Sequence, residues 1–124
     1  MEVNIVILSI ADLGFLEAAT TGEIIGTDSD TDQHGIPAPF TKGKGRHLGL
    51  ELCPPEVAPE YRLKYKDQPL GERLYVAMRP TTSSDGEPRI FVLGSNADGL
   101  FLDAIRARPD DKWHPNDKFI FCVQ

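Results

Sequence analysis

One pattern, S-x-A-D-x-x-F-L-[DE]-A, occurs twice in this chain, each time just after an apolar run. The first copy follows Ile5-Val6-Ile7-Leu8 and runs from Ser9 to Ala18. The second follows Ile90-Phe91-Val92-Leu93 and runs from Ser95 to Ala104. A constant offset of 86 positions pairs Ser9 with Ser95, Asp12 with Asp98 and Phe15 with Phe101. Unbroken apolar runs of this length suit strands covered on both faces. A serine followed three residues later by a carboxylate has the form of a capping box, each side chain accepting from a backbone N–H of the first turn. The expectation is two strand–helix units, either duplicated or converged on one good cap.

Around these units the chain alternates apolar segments with turn-rich ones. A strand is expected from Val3 to Leu8. The helix behind it covers Ile10 to about Thr20, with Ala11, Phe15, Ala18 and Ala19 on one stripe. The rival is a hairpin of Phe15 to Thr20 with Glu23 to Gly26; under the helical reading Glu23 to Gly26 is a short strand. Thr27 to Gly45 reads as a long polar surface segment, and such segments often carry function. Arg46 to Cys53 reads as a strand with Leu48, Leu50 and Leu52 on one face. Pro54, Pro55 and Pro59 imply an extended connector from Cys53 to Glu60. Tyr61 to Lys66 alternates apolar and basic residues, as an edge strand does. Leu74 to Met78 is another strand, followed by a loop with Asp85-Gly86 at its tip. Asn96 to Arg108 keeps Ala97, Leu100, Phe101, Ala104 and Ile105 on one helical face, and Pro109 stops it. As a strand, Leu100 to Ala107 would place Asp103 between Phe101 and Ile105, while Gly99 weakens the helix. Lys118 to Val123 is the last strand. Together these predict a single α+β domain over residues 1–124: one twisted, mostly antiparallel sheet of about six strands with two helices packed on it.

The charge balance narrows the partners. Thirteen Lys and Arg against 19 Asp and Glu leave a net −6, which repels phosphate backbones and argues against nucleic acid. A hydrophobic fraction of 40% and a charged fraction of 26% are those of a folded domain rather than a disordered chain. Cys53 and Cys122 are far apart, each in an apolar run, and read as two small buried hydrophobes in a reducing compartment, a disulfide being the alternative. Glu2 stands where a signal peptide would carry a basic residue, and the apolar run from Val3 to Ile10 is too short to span a bilayer. A soluble cytoplasmic protein with no membrane segment is expected.

Several residues could carry chemistry. Asp28, Asp30 and Asp32 alternate as the first carboxylates of an EF-hand do, but the sixth position is Gln33 rather than Gly and the twelfth Pro39 rather than Glu. A solvated acidic loop, or at most a weak Ca²⁺ site, is implied. His34, His47 and His114 have no zinc-like spacing. Nucleophile-elbow, phosphate-loop and Cys–His catalytic motifs do not occur in the sequence. Ser9 and Ser95 would offer helix N-termini to an anion, but Asp12 and Asp98 already supply negative charge there. Trp113, between Lys112 and His114, is a recognition candidate, with a lid over the core as its structural role. Lys42, Lys44, Arg46 and His47 form a basic patch interleaved with Gly43 and Gly45, suited to an anionic ligand or to a flexible loop.

The function expected from this is a small non-catalytic binding or interaction module, homodimeric through an exposed sheet edge. Trp113, His114, His34, His47 and Arg46 are its candidate contacts for an unknown protein or small-molecule partner. The alternatives are a small enzyme gathering a histidine and an aspartate in one pocket, and a cation-binding domain using Asp28, Asp30 and Asp32.

Overall fold

A computed structural model describes residues 3–123. The chain is α+β. A mixed sheet of six strands is joined by a two-stranded ribbon and, among the described residues, three short helices. The strands are β1 (Asn4–Ser9), β2 (Ala19–Thr20), β3 (Arg73–Val76), β4 (Thr81–Thr82), β5 (Pro88–Asn96), β6 (Gly99–Arg106), β7 (Lys112–Trp113) and β8 (Lys118–Val123). The helices are α1 (Thr21–Ile25), α2 (Lys44–His47) and α3 (Val57–Lys64).

The main sheet runs β1-β8-β3-β5-β4, with β6 paired to β5, while β2 and β7 form the ribbon. All pairs are antiparallel except β3 with β8, where Tyr75 faces Phe119 and Val76 faces Ile120. Strand β8 is inside the sheet, and Phe119, Ile120, Phe121 and Cys122 are all buried. Phe119 stacks edge-on to Trp113 at 5.1 Å, and Phe121 lies against Gly45 of α2. Ile120 and Cys122 alternate to the opposite side, where Cys53 is buried. The sheet therefore has apolar cover on both faces, and continuous apolar runs in β1, β5 and β8 follow from that.

Both proposed helices behind the repeated motif are absent. Ser9 and Asp12 do exchange the capping-box bonds: Ser9 N–H to Asp12 Oδ2 is 2.9 Å, and Asp12 N–H to Ser9 Oγ is 3.0 Å. Only one tight turn follows, because Gly14 takes a φ of +102° and turns the chain away. Ile10 and Leu13 plug this turn into the core. At the second copy, Ser95 lies within β5, and the expected helix is strand β6. Asn96 Oδ1 accepts the Asp98 N–H at 2.9 Å and Gly99 has φ +119°, so N-A-D-G is a hairpin turn. The two copies share residues but not structure, which removes the proposed strand–helix duplication.

Three further segments differ from expectation. Thr20 and Glu23 make a complete capping box, which starts α1 where a short strand was expected. Arg46 to Cys53 is not a strand: Arg46 and His47 belong to α2, and Glu51 makes one isolated bridge to Cys122. The proline-rich connector and the alternating stretch together form α3. Pro54 and Pro55 precede it, and Pro59 stands in its first turn, where the missing N–H had no intrahelical partner to lose. Val57, Ala58, Tyr61 and Tyr65 make a helical stripe, with the Tyr61 and Tyr65 rings stacked at 5.3 Å.

Arg62 fastens α3 to the sheet. Its Nη1 donates to Gln68 Oε1 at 2.7 Å, Gly94 O at 3.0 Å and Phe101 O at 3.1 Å, and its Nη2 to Tyr65 O at 2.6 Å. The edge strand expected from Tyr61 to Lys66, whose basic residues would all face water, is therefore wrong for this arginine, although Lys64 and Lys66 are exposed.

Candidate functional site

The basic patch is held on a packed backbone. Gly43 and Gly45 are buried, and neither could carry a side chain. A Cβ at Gly43 would lie 2.6 Å from the Gly26 nitrogen at the end of α1, and one at Gly45 would run into the Phe121 ring. These glycines exist for close approach, not for flexibility. With the intervening backbone pressed inward, Lys42, Lys44, Arg46 and His47 line an open groove of about 630 Å³. Phe15, Glu23 and Thr41 complete its lining. Lys44 passes close to Gly14, so the turn built by Ser9 and Asp12 forms part of the same surface.

The charges in this groove are not all equally available. Arg46 shares its guanidinium with Glu51 at 3.4 Å, with both side chains more than a third exposed. Glu23 is occupied by the Thr20 N–H at 2.9 Å. Lys42 Nζ is 3.4 Å from Thr31 Oγ1, and its backbone N–H donates to Asp30 Oδ2 at 2.9 Å. Leu16, 95% exposed, stands next to Phe15 in the chain. The groove thus offers a cationic lining beside apolar residues, on a protein that is otherwise acidic.

The loop aspartates have local partners. Asp30 accepts from the Thr27 N–H at 3.1 Å, the Thr27 hydroxyl at 3.0 Å and the Lys42 N–H. Burial works against its ionisation, but these hydrogen bonds together outweigh it and hold the carboxyl below its usual range. Asp32 Oδ1 accepts the His34 and Ile36 N–H groups at 2.8 and 3.0 Å. Asp28 lines a separate cleft of about 390 Å³ with Thr21, Thr27, Phe40 and Arg79, whose guanidinium lies 5.0 Å from the Phe40 ring centroid. Among the described residues, no three His, Cys, Asp or Glu side chains gather as a metal-binding group.

The histidines belong to different local structures. His47 lines the basic groove, while the His34 ring is 3.3 Å from Gln33. His114 sits in the turn between β7 and β8, where its Nδ1 accepts the Asn116 N–H at 3.1 Å. Among the described residues, no histidine ring hydrogen-bonds a carboxylate. Trp113 is 8% exposed: its indole donates to Thr21 Oγ1 at 2.9 Å, and its ring packs on Tyr75 and Phe119. It is the lid over the core, not an exposed contact. Of the expected contacts, only Arg46 and His47 are brought together, joined by Phe15 and Glu23, which the sequence reading had not connected to them.

No helix of the described residues is long and apolar enough to cross a membrane. Comparison of the chain with protein-family models, curated proteins and solved structures finds no match.

Proposed function

We propose that this protein is a small non-catalytic binding module whose groove between the Phe15 turn and α2 takes an anionic ligand. The observation that carries the reading is the pair of buried glycines, Gly43 and Gly45, which seat the chain so that Lys42, Lys44, Arg46 and His47 surround one groove. A packed backbone keeps the anchor points of these side chains spaced without a ligand, so less backbone ordering entropy is lost on binding. Phe15 adds apolar contact, favouring a ligand with both anionic and apolar parts. Self-association through a sheet edge is the second part of the reading.

Calorimetric titration with inorganic pyrophosphate tests the groove. Binding is expected for the natural chain and should weaken about tenfold or more in K42Q/K44Q/R46Q, as three nearby cations are removed. It should also fall with added salt. Equal affinity in the two proteins would remove the groove from the reading.

A further inference from the structure

Among the described residues no strand pairs with the outer edge of β6, which gives the self-association reading a specific geometry. Ser95 directs its N–H to Glu72 O and its C=O to the Gly71 N–H, both on the β3 side. Backbone groups alternate along a strand, so Asn96, Gly94, Val92 and Ile90 face β6, and the Ala107 N–H to Pro88 O bond continues that alternation. On β6 itself, Leu100, Leu102, Ala104 and Arg106 therefore turn their N–H and C=O groups away from the sheet. Beside this edge lie exposed leucines: Leu63 of α3 at 73%, Leu100 at 42% and Leu102 at 36%. They border one shallow hollow, together with Arg62 and Lys66.

We infer that β6 pairs antiparallel with β6 of a second copy, about a two-fold axis at Leu102. A two-fold axis normal to the sheet requires that facing residue numbers sum to an even value, since side chains alternate between faces. Centring on Asp103 would set two carboxylates opposite each other, and centring on Ala104 would set Leu102 against Arg106. Centring on Leu102 sets Leu102 against itself, Leu100 against Ala104 and Asp98 against Arg106. Asp98 and Arg106 are both exposed and opposite in charge, and symmetry makes the pair twice.

Two local contacts are exchanged when this pairing forms. In the single chain, Asp103 Oδ1 accepts the Ala104 N–H at 2.8 Å, covering one edge donor. In the pair, the Leu100 carbonyl of the second copy takes that N–H, and Asp103 faces the second copy's Phe101. The Arg73 guanidinium lies 5.9 Å from the Phe101 ring centroid, so the released carboxylate meets a cation. Arg106, which holds Asp111 at 3.2 Å, is exposed enough to be shared with Asp98. At the other free edge, β1 carries no charged residue among Asn4–Ser9 that would fix a register.

Light scattering and size-exclusion on the intact chain test this, with circular dichroism to verify that each variant is folded. The natural chain is expected to be a dimer at submillimolar concentration. L102K, which places like charges on the axis, should weaken it about tenfold or more, and D98K should weaken it in the same direction. L102C should cross-link to a covalent dimer under mild oxidation. L100C should not, because the two equivalent positions are four residues out of step, roughly 13 Å apart. The inference rests on self-association but not on the anion groove, and pyrophosphate binding should be unchanged in L102K. A natural chain that stays monomeric, including one that captures a strand of another protein, overturns both this inference and the self-association reading. A dimer that survives L102K and D98K, or one in which L100C cross-links better than L102C, overturns the β6 assignment alone.

Discussion

Arg62 shows how much one side chain can hold. Four acceptors from three parts of the chain converge on its two terminal nitrogens. Truncation in R62A removes all four bonds and leaves Gln68 Oε1 and Tyr65 O without this donor, and a loss of about 2–3 kcal/mol is expected, read as a lower denaturant midpoint. Gly45 is equally committed: G45A forces a methyl into the Phe121 ring, and overpacking of this kind costs about 1–3 kcal/mol. The cysteines supply a third prediction at this scale. The Cys53 and Cys122 thiols are neighbours in the core, and burial together with the adjacent thiol pushes the Cys53 pKa up. Both thiols are buried away from solvent, yet exchange with a small-molecule disulfide under partly unfolding conditions should join them, releasing two equivalents of the small thiol. Thiol titration after denaturation should then find none free, whereas two remaining thiols would show that the pair resists closure.

At the scale of elements, the capping box at Ser9 is legible in the sequence, but the one expected at Ser95 does not form and the one at Thr20 is hidden in a stretch that reads as a helix end. The box at Ser9 and the box at Thr20 have the same form, and only the second is followed by a helix, since Gly14 turns the first aside. T20A should cost about 1 kcal/mol through the lost cap. The strands β1, β5 and β8 were readable because their apolar runs exceed anything a half-buried helix needs. The β6 segment was misread because Leu100, Phe101, Ala104 and Ile105 fit a helical stripe as well as a strand. The deciding signal was the N-A-D-G turn, which outweighs periodicity when two β-prone runs flank it. Helix α3 is masked in the sequence because prolines break most helices, whereas Pro59 falls in the first turn, where a proline is tolerated. The basic groove was half legible: its cations are local in sequence, but Phe15 and Glu23 come from other elements. Only the packed fold shows that the intervening glycines stiffen the segment. Trp113 could not be assigned from sequence, because its partner Thr21 lies 92 residues away.

For the molecule as a whole, ionisation limits stability at both ends of the pH scale. Burial, with a hydrogen bond from Tyr65 to Glu72, pushes the Tyr65 pKa from 10.0 up to about 12. The phenol thus binds its proton more tightly folded than unfolded, and its contribution is full below pH 10 and lost as pH rises towards 12. Hydrogen bonds from Ser83, the Glu87 N–H and Arg89 hold Asp85 down to about 2 from 3.8. Its contribution is present above pH 4 and lost as pH falls through 2. Unfolding midpoints measured across the pH range should decline in both windows, and Y65F should remove part of the alkaline decline. Topology has a further consequence. Strand β8 follows β1 and β3 in the chain yet separates them in the sheet, so neither can complete its pairing before β8 arrives. On the ribosome, the apolar side chains of β1 therefore wait uncovered through the synthesis of nearly everything between them. The emerging chain is consequently prone to stray association until β8 has left the exit tunnel.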